Sequence, residues 1–266
     1  MSGEVHIDTD GHVATLTIDN TAKRNALGPP LITEIAETLD ELEERDDIRC
    51  LVITGAGEKA FSAGFDISYH QRNYEGGADA PEFEGEEVKF GEMVDRIKYF
   101  DYPVIARING GTFGGSMHLI AACDFRIAVD EAQFGITPAK LGMIYGGEAI
   151  GEIMAHVGPA DVKELLFTAE FIDAKRAYDM GLLNDIVPRE ELDDRAYGMA
   201  ETIASNAPLS LVGMKKIVRA LMDKDSLTDA ETSWAEKLEQ EAEDSRDHRE
   251  GVEAFMENRD PEFEGH

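Results

Sequence analysis

The sequence predicts an α/β protein in which a core of alternating strands and helices is followed by a helical C-terminal module. Two observations carry this. Strand and helix signals alternate through the first half of the chain, and from about residue 148 the periodicity turns almost wholly helical. Val13, Thr15 and Thr17 interleave with Ala14, Leu16 and Ile18, a two-residue period that marks a strand. Leu31, Ile32, Ile35, Ala36, Leu39 and Leu42 then recur at helical spacing among acidic residues, which predicts an amphipathic helix over 31–44. The run 48–54 reads as a buried strand that stops at Gly55-Ala56-Gly57, and a polar, glycine-containing stretch over 68–92 reads as a long loop. A strand over 103–108 leads through Asn109-Gly110-Gly111 and Gly114-Gly115 into an apolar run, 117–123, long enough for a helix, with another strand at 124–129. Beyond it one strand signal remains, at 182–187, and Asp173 and Gly181 are placed to start and stop a helix. Over 189–257 Leu211, Ile217, Leu221, Trp234, Leu238 and Phe255 sit in Glu-rich helices at spacings that need a partner surface. The expected division is therefore a core over 1–200 and a helical oligomerisation region over 201–266.

Composition narrows the function. The 266 residues hold 25 Lys and Arg against 55 Asp and Glu, a formal net charge of −30. So negative a surface repels phosphate, which argues against a nucleic-acid or anionic-membrane partner. The acidity is spread along the whole chain, as expected of a protein adapted to concentrated salt, where counterions screen self-repulsion. Cys50 and Cys123 lie in apolar runs without metal or redox spacing and read as core filler in a reducing, cytoplasmic compartment. No metal site is expected. No basic leader precedes an apolar stretch at the start, and no apolar run approaches membrane-spanning length.

Three glycine-containing segments follow strand signals. Gly55-Ala56-Gly57-Glu58-Lys59-Ala60 fits the dinucleotide pattern only in outline, because no helix opens at its glycines and no acidic residue follows a second strand at the required distance. Segments 61–66 and 109–116 have two readings. They are tight turns, or they let a ligand approach main-chain N–H groups, with the positive end of the helix after Gly115 adding to the field. Two such amides aimed at one oxygen make an oxyanion hole.

Over nearly its whole length the sequence resembles the enoyl-CoA hydratase/isomerase (crotonase) superfamily. The resemblance is carried by Lys23-Arg24-Asn25-Ala26-Leu27, by Leu51-Val52-Ile53-Thr54-Gly55-Ala56-Gly57 running on to Phe61-Ser62-Ala63-Gly64-Phe65-Asp66-Ile67, and by Pro103-Val104-Ile105-Ala106 with Asn109-Gly110, Gly114-Gly115 and Cys123-Asp124-Phe125-Arg126. Leu141-Gly142, Asp173-Ala174, Gly181-Leu182, Lys215 and Glu250-Gly251-Val252-Glu253-Ala254-Phe255 continue it in order. It implies a spiral of ββα units with a C-terminal helical trimerisation region, assembled as a homotrimer or dimer of trimers. It implies an acyl-CoA thioester as substrate, with coenzyme A entering only as part of that substrate and no other cofactor. The thioester oxygen would be held by the N–H groups of Ala63 and Gly115, within a binding segment that includes Gly64, Phe65 and Asp66. Lys23 and Arg24 fall where the family receives the CoA phosphates, and Lys215 resembles a C-terminal lysine near CoA; each is alternatively a solvated surface charge.

The resemblance departs at the catalytic carboxylates. Where family hydratases place two water-activating glutamates, this chain has His118 and Pro138. His118 is either a substitute acid/base or a hydrogen-bonded pocket wall. Thr137-Pro138-Ala139-Lys140-Leu141-Gly142-Met143-Ile144-Tyr145 resembles the methylmalonyl-CoA decarboxylase branch, in which a tyrosine occupies the position of Tyr145, although that branch has a histidine at position 65 and an acid at 118. Decarboxylation of a β-carboxyacyl thioester needs a stabilised enolate rather than a base, so a lyase with Tyr145 or His118 as proton source or lining is expected. Hydration through His118 and a non-catalytic acyl-CoA-binding subunit are the alternatives. The 68–92 loop is either a lid over the acyl pocket or a solvated acidic loop.

Overall fold

The computed structural model describes residues 3–66, 88–222, 228–257 and 259–266. Strands β1 (Glu4–Asp10) and β2 (Val13–Asp19) form an antiparallel hairpin, and helix α1 (Pro29–Glu43) follows. Proline at its first position suits a site where the N–H has no helical acceptor. Its six apolar residues named above are all buried.

Three strand pairs come next: β3 (Cys50–Gly55) with β4 (Ala60–Ser62), β5 (Val104–Ile108) with β6 (Gly111–Phe113), and β7 (Phe125–Val129) with β8 (Gln133–Gly135). Helix α2 (Phe90–Tyr99) lies between the first two pairs and α3 (Gly115–Ala122) between the second two. In every pair the first strand joins a six-stranded sheet, β1-β2-β3-β5-β7-β10, and the second joins a four-stranded sheet, β4-β6-β8-β9. Each ββα unit thus adds one parallel strand to each sheet, and the chain winds as a spiral. Strand β3 is buried at every position, so its side chains do not alternate between polar and apolar, as expected for a parallel strand covered on both faces.

Helices α4 (Gly147–Met154) and α5 (Pro159–Thr168), strand β9 (Ile172–Asp173), helix α6 (Ala174–Asp179) and strand β10 (Asp185–Val187) close the core. Asp173 caps α6 through the Arg176 N–H at 2.7 Å, and Gly181, at φ +91°, lies just past its end. Helix α7 (Leu192–Ala204) covers the larger sheet with Leu192, Ala196 and Ala200 buried. The expected junction at 200/201 therefore falls within α7, and the change of architecture comes after it. Helices α8 (Pro208–Met222), α9 (Asp229–Glu243) and α10 (Arg246–Glu257) then form the C-terminal module. Its last segment is tied back to the core where the Arg49 guanidinium donates to the Phe263 carbonyl at 2.8 Å.

Three readings change. Hairpin strand β1 is new. Helix α2 begins at Phe90, so the end of the expected 68–92 loop is helical, with Met93, Val94 and Ile97 buried; residues 67–87 lie outside the described residues. Gly55-Ala56-Gly57 leads into β4 rather than a helix, which removes the dinucleotide reading. Both cysteines are buried and free, their thiols pushed up by burial to about 12. Among the described residues no helix is long and apolar enough to cross a membrane.

Candidate active site

Strands β4 and β6 are parallel neighbours, so the segments that leave them, 63–66 and 114–116, run side by side. Their contact is very close. A Cβ on Gly64, which has φ +82°, would stand 2.3 Å from the Phe113 carbonyl oxygen and 2.7 Å from the Gly115 nitrogen. Two fully buried serines clasp the segments together. Ser62 Oγ donates to the Asn25 carbonyl at 2.7 Å and accepts the Gly64 N–H at 3.1 Å, while Ser116 Oγ accepts the Phe113 N–H at 2.9 Å and reaches the Ser62 carbonyl at 2.8 Å. Neither serine stood out in the sequence beyond its place in a glycine-rich run.

The amides in this region differ in their commitments. The Ala63 N–H donates to the Arg24 carbonyl at 2.8 Å, Gly64 donates to Ser62, and Asp66 donates to the Leu27 carbonyl at 2.9 Å. The expectation that Ala63 supplies a hole donor is therefore corrected, because its hydrogen is held by a neighbouring turn. That turn is unusual, with Arg24 and Asn25 both at positive φ, 54° and 56°. Asn25 holds it by donating to the Ala56 and Ala60 carbonyls at 3.0 and 2.9 Å. The Phe65 nitrogen lies 3.4 Å from the position a Cβ on Gly115 would take. Gly115 opens α3, where the first amides have no intrahelical acceptor and the helix dipole is positive.

Both segments border a cavity of about 740 Å³. Phe65, Phe90, Leu141, Met143, Ile144 and Ala149 give it apolar walls, and His118, Tyr145 and Glu148 are its ionisable lining among the described residues. Burial pulls the His118 imidazole below its ordinary value, which leaves it neutral at pH 7, and its ring lies 6.1 Å from that of Phe90. Burial pushes the Tyr145 phenol up, partly offset by the His118 main-chain N–H, and its hydroxyl donates to the Gly114 carbonyl at 2.9 Å. Pro138 lines the same cavity. Phe90 and Glu148 escaped the sequence reading, Phe90 because it was assigned to the polar loop.

The cationic candidates divide. Lys23 and Arg24 are exposed, and Lys23 Nζ sits 2.6 Å from the carboxylate of the buried Asp66, next in sequence to Phe65. Lys215 is buried. It is 9% exposed, with Nζ 2.8 Å from Asp124 Oδ2 and 2.7 Å from the Tyr102 carbonyl, so it pins α8 to the core, and its expected place beside CoA is corrected. Among the described residues Glu4, His6 and Asp19 are the one group of metal-ligand type, and none lines the cavity.

Residues 8–266 match the family Enoyl-CoA hydratase/isomerase. The chain belongs to that family. It is 34% identical to methylmalonyl-CoA decarboxylase of Escherichia coli (strain K12), covering 98% of both chains, and 33% identical to carnitinyl-CoA dehydratase of Citrobacter koseri, covering all of both. A crystal structure of enoyl-CoA hydratase from Bacillus anthracis superimposes with a TM-score of 0.85 at 31% identity, covering 99% of this chain and 100% of the other. The ββα spiral expected of the crotonase superfamily is thus found, and the chain is an acyl-CoA-processing enzyme of that superfamily. Relatives of near-equal identity carry different reaction names, so the reaction has to be argued from the site.

Proposed function

We propose that this enzyme decarboxylates a short β-carboxyacyl-CoA of the methylmalonyl-CoA type through an enolate held by the N–H groups of Phe65 and Gly115. The observation that carries this reading is a cavity with two converging amide-bearing segments, apolar walls, and a neutral His118 and Pro138 where family hydratases carry glutamates. In the reaction the bond from Cα to the carboxylate breaks and CO2 leaves. Its electron pair forms the enolate double bond while the thioester carbonyl pair moves onto oxygen. A proton from water then adds to Cα. No base is needed to begin, and stabilising the oxyanion lowers the barrier; losing one of two such donors typically costs about 3 to 4 kcal/mol. Apolar walls favour the neutral product CO2 over the charged carboxylate. Lys23 and Arg24, at the exposed end of the turn that accepts the Ala63 N–H, are the side chains we assign to the CoA phosphates.

A second reading, hydration of an enoyl-CoA, is favoured by one observation: a neutral His118 able to accept a proton shares the cavity with the Glu148 carboxylate. Incubation at molar salt with methylmalonyl-CoA and with crotonyl-CoA, read by mass of the thioester products, separates them. Loss of 44 mass units from the first supports decarboxylation, gain of 18 by the second alone overturns it, and binding without turnover of either favours a non-catalytic subunit. The same reading includes assembly as a trimer or dimer of trimers. Met214, Val218, Leu221 and Met222 leave an exposed apolar stripe on α8 at helical spacing, which is suited to a subunit contact.

A further inference from the structure

We infer that Tyr145 is a positioning residue for the oxyanion hole: its hydroxyl donates to the Gly114 carbonyl at the start of α3 and so sets the direction of the Gly115 N–H. The inference rests on the oxyanion reading above.

The Tyr145 hydroxyl donates its hydrogen to the Gly114 carbonyl at 2.9 Å, and that carbonyl also takes the i+3 amide of Met117 at 3.1 Å. The Gly114 carbonyl and the Gly115 N–H belong to one planar trans peptide group, so they point in opposite directions. Anchoring the oxygen on one side therefore aims the hydrogen on the other.

The anchor is needed because of the backbone that precedes it. Gly114 has φ 56° and ψ −122°, a conformation open to glycine and closed to most side chains. Without a Cβ it has no packing of its own to resist rotation of the next peptide. Its N–H is fixed to the Gly135 carbonyl at 2.9 Å, which holds the peptide before it but not the one after. A donor on a peptide carbonyl also polarises the group, strengthening its N–H as a donor, and in a low-dielectric site such chains reinforce one another. The line from the Tyr145 hydroxyl through the Gly114–Gly115 peptide to a thioester oxygen is one such chain. Burial keeps the phenol a weak acid and its hydrogen is already engaged, which separates this role from delivery of a proton to the enolate.

The test uses acetyl-CoA as a probe that asks nothing about the physiological acyl group. The carbonyl stretch of bound acetyl-CoA, measured by isotope-edited infrared difference spectroscopy, reports polarisation by the hole. In the wild type the band moves to lower frequency than in free acetyl-CoA. In Tyr145→Phe more than half of that displacement is lost, kcat falls on the order of tenfold or more, and KM stays within about threefold, since an effect on the oxyanion belongs to the transition state. Tyr145→Met, which also lacks the hydroxyl, shows the same loss. A full wild-type displacement in either folded variant, even with a lowered melting temperature, overturns the inference and leaves the oxyanion reading standing. Absence of any displacement in the wild type overturns both.

Discussion

Lys215 Nζ lies 2.8 Å from Asp124 Oδ2, and both groups also face Arg219, whose guanidinium is 3.4 Å from the same carboxylate and 2.7 Å from the Ala122 carbonyl. A cation so placed works for the fold rather than for the ligand. Lys215→Met leaves the partly buried Asp124 with only the Val104 N–H at 2.8 Å and the more distant Arg219, so stability is expected to fall by about 3 kcal/mol, at the lower end of the usual range for breaking a buried pair. Chemical denaturation measures that loss, and KM for an acyl-CoA stays within about twofold. A tenfold rise in KM with unchanged stability would return Lys215 to the CoA site.

Gly64→Ala tests the close approach of the two segments. Its Cβ has no room between the Phe113 carbonyl and the Gly115 nitrogen, and φ +82° is strained for any L side chain. The segments must part, and kcat is expected to fall by roughly a hundredfold or more, comparable with losing a hole donor. Wild-type kcat in the folded variant would show that the two strand ends do not meet over the substrate.

The pH profile above neutrality follows from two of the ionisable walls, His118 and Tyr145. Burial lowers the His118 value, so protonation begins only below the ordinary histidine range; burial raises that of Tyr145, so ionisation begins only above the ordinary tyrosine range. Neither group changes charge between pH 7 and 9, and kcat for decarboxylation should be flat across that window. A limb inside it that disappears in His118→Gln would show that a titrating imidazole takes part, as the hydration reading requires.

Salt should stabilise the fold. With a net charge of −30 the folded surface repels itself, and screening relieves this over a Debye length of about 3 Å at molar ionic strength. Melting temperature is expected to rise from 0.1 M to 2 M potassium chloride by roughly ten degrees or more, and a flat or falling curve would contradict salt adaptation.

The sequence made the spiral legible wherever one residue pattern fixed one element. The run 48–54 gave β3, the spacing from Leu31 to Leu42 gave α1, and Asp173 marked the start of α6. It hid β1, whose residues are mostly exposed and mixed in polarity, and α2, whose three buried residues follow a polar stretch. The two segments proposed to hold the oxyanion were visible as glycines after strands. That the Ala63 amide is already committed was not, because that depends on its contact with a turn 39 positions earlier. Lys215 misled for a similar reason: a lysine and the carboxylate that buries it are 91 residues apart, and only folding brings them together.

Strands β4 and β6 belong to successive coils, and neighbouring strands in any sheet sit about 4.8 Å apart. The separation of the paired donors is thereby gauged by the backbone ladder and not by side chains. Evolution can exchange His118 or Pro138 for other residues without detuning that gauge, so the proposed thioester clamp would pass intact to descendants that eliminate, hydrate or release carbon dioxide.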